Sequence, residues 1–244
     1  GDVYEPPSGQ FWLGTDDAGR NVLAMVAWGA RISLLVGLCA TVLAMVIGTT
    51  VGIASGHYQG LVGGILNRVT DWFLVIPFIP VVVLMAALLG QKANSFPLGQ
   101  ASVLVVAIGA FGWAGTSRIV RSEVLSLKER TFVERARALG ASDAWIMRKH
   151  ILPNVLPLIF ANTVLFVAIS ILTESSLSFL GLGDPTHLSW GQILNAANEA
   201  GAQSVGAWWY FVPPGVCITV VVLAFSLVGY AIEEIVNPKL RERS

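Results

Sequence analysis

Long uncharged apolar runs alternate with short polar stretches along this chain. The runs cover residues 32–54, 72–91, 101–117, 153–173 and 211–232, and none has a polar face at helical spacing. Each is close to the roughly 20 residues that a helix needs to cross the hydrocarbon of a bilayer. A soluble bundle would show polar positions every three to four residues on its outer faces. The pattern therefore predicts an all-α, polytopic membrane helical bundle with five spans. The run 101–117 is short, but it continues as the polar "RIVRSEVLSL". Pro77 and Pro80 should kink the second span. Pro157 is expected in the first turn of the fourth, and Pro213 and Pro214 near the start of the fifth.

Composition agrees with this picture. Charged residues make up 12% of the chain and apolar residues 55%, against about 25% charge in soluble domains. The formal net charge is zero, so no basic field points to nucleic acid, and the bilayer is the expected surrounding. Cys39 and Cys217 each sit inside an apolar run and read as small core residues. His57, His150 and His187 are scattered without ligand spacing, so no metal site is expected.

The placement of charge says more than its sum. Of the 15 lysines and arginines, eight lie between Arg118 and Lys149, and Lys239, Arg241 and Arg243 follow the last run. Basic residues stay on the cytoplasmic side, which predicts a cytoplasmic central loop and a cytoplasmic C-terminus. The expected organisation is an extracytoplasmic segment with a leading helix at 1–31, a membrane domain at 32–232 and a cytoplasmic tail at 233–244. The loops near 92–100 and 180–210 then fall outside, with Trp190, Trp208 and Trp209 at the interface. An outside start and an inside end imply one further span upstream, six in the full protein. Gly48, Gly52 and Gly56 recur every fourth position and predict close helix packing.

The central loop, residues 121–152, is unusually polar for this chain. Phe132, Val133, Ala136, Leu139 and Gly140 fall on one helical stripe, with Glu134, Arg135 and Arg137 off it. Gly140 can end that helix in the left-handed region. "SDAWIMRKH" restarts a helix with Ser142 or Asp143 as cap, and Pro153 marks the start of the next span. Such a helix–bend–helix either rests on lipid headgroups or docks a cytoplasmic protein, with small residues allowing close approach and charges setting register. Two acidic residues near spans are candidates for a solute path. Asp71 is expected at the cytoplasmic start of a span, where it either caps the helix or faces the path. Glu174 follows an uncharged run, and it either lines the outer end of the path or anchors the following turn by hydrogen bonds.

"ERARALG", nine residues, then "HILP" resembles the EAA loop of the membrane subunits of bacterial ABC importers. Glu134, Ala136, Gly140, Leu152 and Pro153 match that pattern, while Arg135 and His150 depart from it. "LGTDDAGRNVLAMVAWGARISLLVG", "ESSLSFLGLG", "SWGQIL" and "WWYFVPPG" resemble the C-type permeases of dipeptide, oligopeptide and nickel importers. The ending "SLVGYAIEEIVNPKLR" departs from the usual one. The resemblance implies a non-catalytic permease subunit in the bacterial inner membrane, taking up short peptides, with nickel chelates as the alternative cargo. It implies a second homologous permease, two ATP-binding cassette subunits or one fused ATPase, and an extracytoplasmic substrate-binding protein as partners. ATP and Mg would sit on the ATPases. This chain would bind no cofactor, since it has no Gly-x-x-x-x-Gly-Lys-Ser/Thr loop. Residues carried over to ATPase coupling are Glu134, Arg135, Ala136, Arg137, Leu139, Gly140, Arg148, Leu152 and Pro153. A stand-alone ion-coupled carrier is the alternative from another class, and it leaves the loop spacing unexplained.

Overall fold

The structure, a computed structural model, describes residues 1–58, 60–92 and 99–236. Expectations for residues 93–98 and for the tail from 237 on, with Lys239, Arg241 and Arg243, lie outside the described residues. The described elements are helices: α1 (Val22–His57), α2 (Leu61–Val75), α3 (Phe78–Gly90), α4 (Gly99–Lys128), α5 (Thr131–Ala138), α6 (Asp143–Leu182), α7 (Trp190–Glu199) and α8 (Trp208–Val236). Helices α1, α4, α6 and α8 are long and apolar enough to cross a membrane, and the bent pair α2–α3 makes up to five spans.

The helices outrun the apolar windows, because backbone hydrogen bonding continues past the point where side chains become polar. Thus α4 carries "RIVRSEVLSL" to Lys128, and α6 starts at Asp143 rather than at Pro153. Pro153 and Pro157 therefore lie within α6, not at its start. A π-helical turn at Met147–Ile151 precedes Pro153 and loosens the helix where proline can donate no bond. The Asn154 side-chain amide donates to the His150 carbonyl there (2.6 Å). In the second run, Ile76 turns extended (φ −70°, ψ 126°), as a residue before proline is biased to do. Helices α2 and α3 meet at a bend of 89°, a break rather than a kink.

The chain divides into two compact units. The first comprises Gly1–Ala40, Val82–Ile108 and Val167–Ser226. Its core joins Val22, Met25 and Val26 of α1 to Trp190, Ile193 and Ala197 of α7 and to Tyr210 and Ile218 of α8. Trp190 is buried and its indole donates to the Val26 carbonyl (2.9 Å), so it is a core residue rather than an interfacial one. The opening segment is tied down by buried Asp16, which accepts from the Ala18 and Arg20 amides and pairs with the Arg20 guanidinium. Tyr210 donates to Asp17 (3.0 Å) and Trp209 to the Thr15 carbonyl (3.1 Å).

The second unit comprises Thr41–Val81, Gly109–Phe166 and Leu227–Ser244. Here the glycine stripe of α1 lies on α4. A Cβ on Gly48 would stand 2.6 Å from the Trp113 carbonyl, and one on Gly52 would stand 2.7 Å from the Ser117 carbonyl. Arg121 donates to the Ser55 carbonyl (3.3 Å) and to the Asn67 side chain (2.6 Å), which in turn donates to Asp71 (3.0 Å). Cys39 is exposed and Cys217 half-buried, and both are free, so Cys39 is not the core residue expected.

Candidate coupling site

The helix–bend–helix is built from α5, the turn at Gly140 and the first turns of α6, all within the second unit. Val133 and Ala136 of α5 are buried against Val120, Val124 and Leu127 of α4 and Ile146, Ile151 and Val155 of α6. Gly140 ends the first helix at φ 84°, a conformation that side chains tolerate poorly. The Ala141 amide returns to the Ala136 carbonyl (3.1 Å). Ser142 caps the second helix by accepting from the Trp145 amide (3.4 Å). Apart from its two chain neighbours, no described residue lies within 4 Å of a Cβ placed on Gly140, so its outer side is open.

The residues expected to couple to an ATPase separate into an inner and an outer set. Ala136 faces the subunit's own core, and Leu152 is half-buried. Glu134, Arg135, Arg137, Arg148 and Pro153 are exposed. Leu139 does not follow the predicted stripe. It caps α5 with a non-helical backbone and is 88% exposed, because the helix ends one residue before it. Three aromatic residues complete the outer surface: Phe132, which was expected on the stripe but is exposed, His150, which departs from the EAA pattern, and Trp145, which the sequence reading did not single out. The His150 ring lies 5.0 Å from that of Trp145 and 5.6 Å from that of Phe132. A cleft of about 340 Å³ beside them is lined by Ala144, Trp145, Arg148 and Lys149. The signal for this ledge was present in "AWIMRKH", where an exposed tryptophan sits among basic residues.

The two candidate path residues lie elsewhere. Asp71 sits well inside α2 and takes a hydrogen bond from Asn67, so it caps no helix start. Glu174 lies in the first unit and is 0% exposed. Its carboxylate accepts from Ser178 (2.7 Å) and Ser175 (3.3 Å), with the Ser33 and Ser189 hydroxyls also bonded to it. Asp184, just beyond the turn at Gly181, accepts from the Thr186 amide and hydroxyl and faces His187.

The spanning helices define a multi-pass membrane protein, and this one holds an exposed helix–bend–helix against its own core. The chain belongs to the family of binding-protein-dependent transport system inner membrane components, whose profile matches residues 48–242. It is 37% identical over 240 residues to the glutathione transport system permease protein GsiD of Pectobacterium atrosepticum, covering 98% of this chain and 76% of that one. It is 36% identical to the oligopeptide transport system permease protein OppC of Bacillus subtilis, covering 98% and 75%. To the dipeptide transport system permease protein DppC of the same organism it is 35% identical, covering 97% and 71%. Among solved structures, an inward-facing conformation of the MetNI methionine ABC transporter matches with a TM-score of 0.66 at 21% identity, over 88% of this chain and 97% of that one. That likeness concerns the fold.

Proposed function

We propose that the chain is the permease subunit of an ATP-driven importer for short peptides, and that residues 121–152 couple it to cytoplasmic ATPases. The peptide, dipeptide and oligopeptide permeases among its relatives support the cargo class. The observation that carries the coupling role is the two-sided build of the loop. Its inner face is packed into the subunit, while Glu134, Arg135, Arg137, Leu139, Trp145 and Arg148 stand outward. An isolated helix resting on lipid needs no such anchoring. In this reading the subunit is non-catalytic and pairs with a second permease. ATP and Mg act on the ATPases, and an extracytoplasmic binding protein delivers the cargo. The C-terminus is cytoplasmic. ATPase closure moves the anchored loop as a rigid lever, and the helices rock between inward- and outward-open states. Glu174, sealed among serines, holds its turn and does not line the path.

Gly140→Trp tests the docking. Within the subunit the new Cβ meets open space, so the intrinsic cost there is the left-handed backbone, about 1–2 kcal/mol. Against a docked partner the overlap cannot be absorbed, because such surfaces pack like interiors. The expected result is an inserted permease pair that has lost its ATPases on co-purification and no longer takes up peptide. Full retention of both would remove the loop as the docking element. Glu134→Ala should weaken the same contact less, since it adds no clash.

A further inference from the structure

We propose that His57 and Asp143 form the tie through which the coupling element moves α1, which makes His57 a positioning residue for transport. The proposal rests on the reading that the element docks the ATPases. His57 is the last residue of α1, and its side chain is 1% exposed. Its Nε2–H donates to Asp143 Oδ1 over 2.9 Å. Asp143 is the first residue of α6, directly after the Ser142 cap, with its side chain 56% exposed. The bond thus joins the end of α1 to the bend of the coupling element. The His57 carbonyl accepts from Lys128 Nζ (3.0 Å), the last residue of α4.

The element grips α4 and α1 in different ways. Against α4 it has a buried apolar cluster, to which α1 adds only the half-buried Ile53. Apolar contact is non-directional, so it holds surfaces together without fixing how one helix end follows another. A hydrogen bond to a carboxylate is directional and stronger. His57 Nδ1 is buried with no hydrogen-bond partner among the described residues, and buried polar atoms are normally satisfied. An apolar residue of similar bulk would fill this place without that penalty. Among the described residues, the bond to Asp143 is what the imidazole contributes here that an apolar residue could not.

The test uses the whole transporter, with its ATPases and binding protein, in liposomes supplied with labelled alanyl-alanine, and reads peptide moved per ATP hydrolysed. Asp143→Ala changes a half-exposed residue and leaves the core intact. It should retain its ATPases while the ratio falls about fivefold, the low end of coupling between distant sites. His57→Leu should fall alike. His57→Gln, whose amide N–H can replace Nε2–H, should stay near wild type, a rescue that a packing role would not produce. An unchanged ratio in Asp143→Ala overturns the tie, as does an equal fall in His57→Gln and His57→Leu. Should His57→Leu fail to insert, Asp143→Ala decides. Loss of the ATPases from Asp143→Ala also overturns it, by making Asp143 part of the docking surface. Failure of the docking reading shows separately, as ATPases retained in Gly140→Trp.

Discussion

Single side chains in this molecule are decided by how their polar atoms are met. Glu174 follows an apolar run and is wholly buried, yet serines supply hydrogen bonds to its carboxylate. Glu174→Leu would leave those hydroxyls without their acceptor, at about 1–3 kcal/mol. The low end of that range is expected, since helical serines can turn to the carbonyl one turn back. A lowered unfolding midpoint in Glu174→Leu, largely restored in Glu174→Gln, is the outcome to look for. Asp184 offers a pH test. Burial pushes its carboxyl up, but the Thr186 hydroxyl and amide and the His187 ring outweigh burial and hold it below the usual aspartate value. A carboxyl lowered in the folded state adds stability above its unfolded value, near 3.9, and loses it as pH falls through the folded one. The midpoint gap between wild type and Asp184→Asn should then narrow as pH falls below about 4. A gap unchanged in acid would remove Asp184 from the account. Residue roles were legible where partners are local, as Ser175 and Ser178 are to Glu174. They were not where the partner is distant. Trp190 read as interfacial because nothing in its neighbourhood announces the Val26 carbonyl, and His57 read as a lone histidine because Asp143 lies far along the chain.

Among the elements, α1 shows what spacing can and cannot tell. Glycines at every fourth position announce one close-packed face, and the structure lays that face on α4. The sequence does not say which glycine meets what. A Cβ on Gly48 or Gly52 would press on a backbone carbonyl, at 2.6 and 2.7 Å, whereas on Gly56 the nearest atom is a Val124 side-chain carbon at 2.9 Å. Val124 Cβ is fixed to its own backbone and the Arg121 carbonyl follows at 3.1 Å, but the approaches at Gly56 are the longest of the three. Alanine at Gly48 or Gly52 should therefore destabilise by about 1–3 kcal/mol, as overpacked cores do, and alanine at Gly56 by less. Unfolding midpoints of the three variants in detergent check the order, and an equal loss at all three would mean that the stripe packs more loosely than described. The break between α2 and α3 was only half legible. Pro77 gave its place, but prolines in helices commonly kink them, and only the extended backbone of Ile76 turns a kink into a bend of 89°. Nothing local in "RKHILP" announced that α6 would run through Pro153, because the π-helical turn that loosens the helix there leaves no composition signal.

For the whole molecule, orientation follows from the cost of charge. Each lysine or arginine carried to the bilayer centre costs about 2.5–3.5 kcal/mol on insertion scales, and eight of them lie between Arg118 and Lys149. No loop on the other side of the predicted topology carries a comparable number, so the sum favours leaving the central loop in the cytoplasm. The structure places suitable probes: Arg130 is exposed between α4 and α5, and Ser204 is exposed in the turn between α7 and α8. Cys39 and Cys217 are both free, so the test starts from a Cys39→Ser, Cys217→Ser background in which each introduced cysteine is the one thiol to label. In intact spheroplasts an impermeant maleimide should label Ser204→Cys at once. It should reach Arg130→Cys only after the membrane is opened. The reverse pattern would turn the subunit over and place the loop where no ATP is found. Labelling of both from outside would mean that the two loops share a face. Either result would overturn the proposed coupling of this loop to ATPases, which requires the opposite-side pattern.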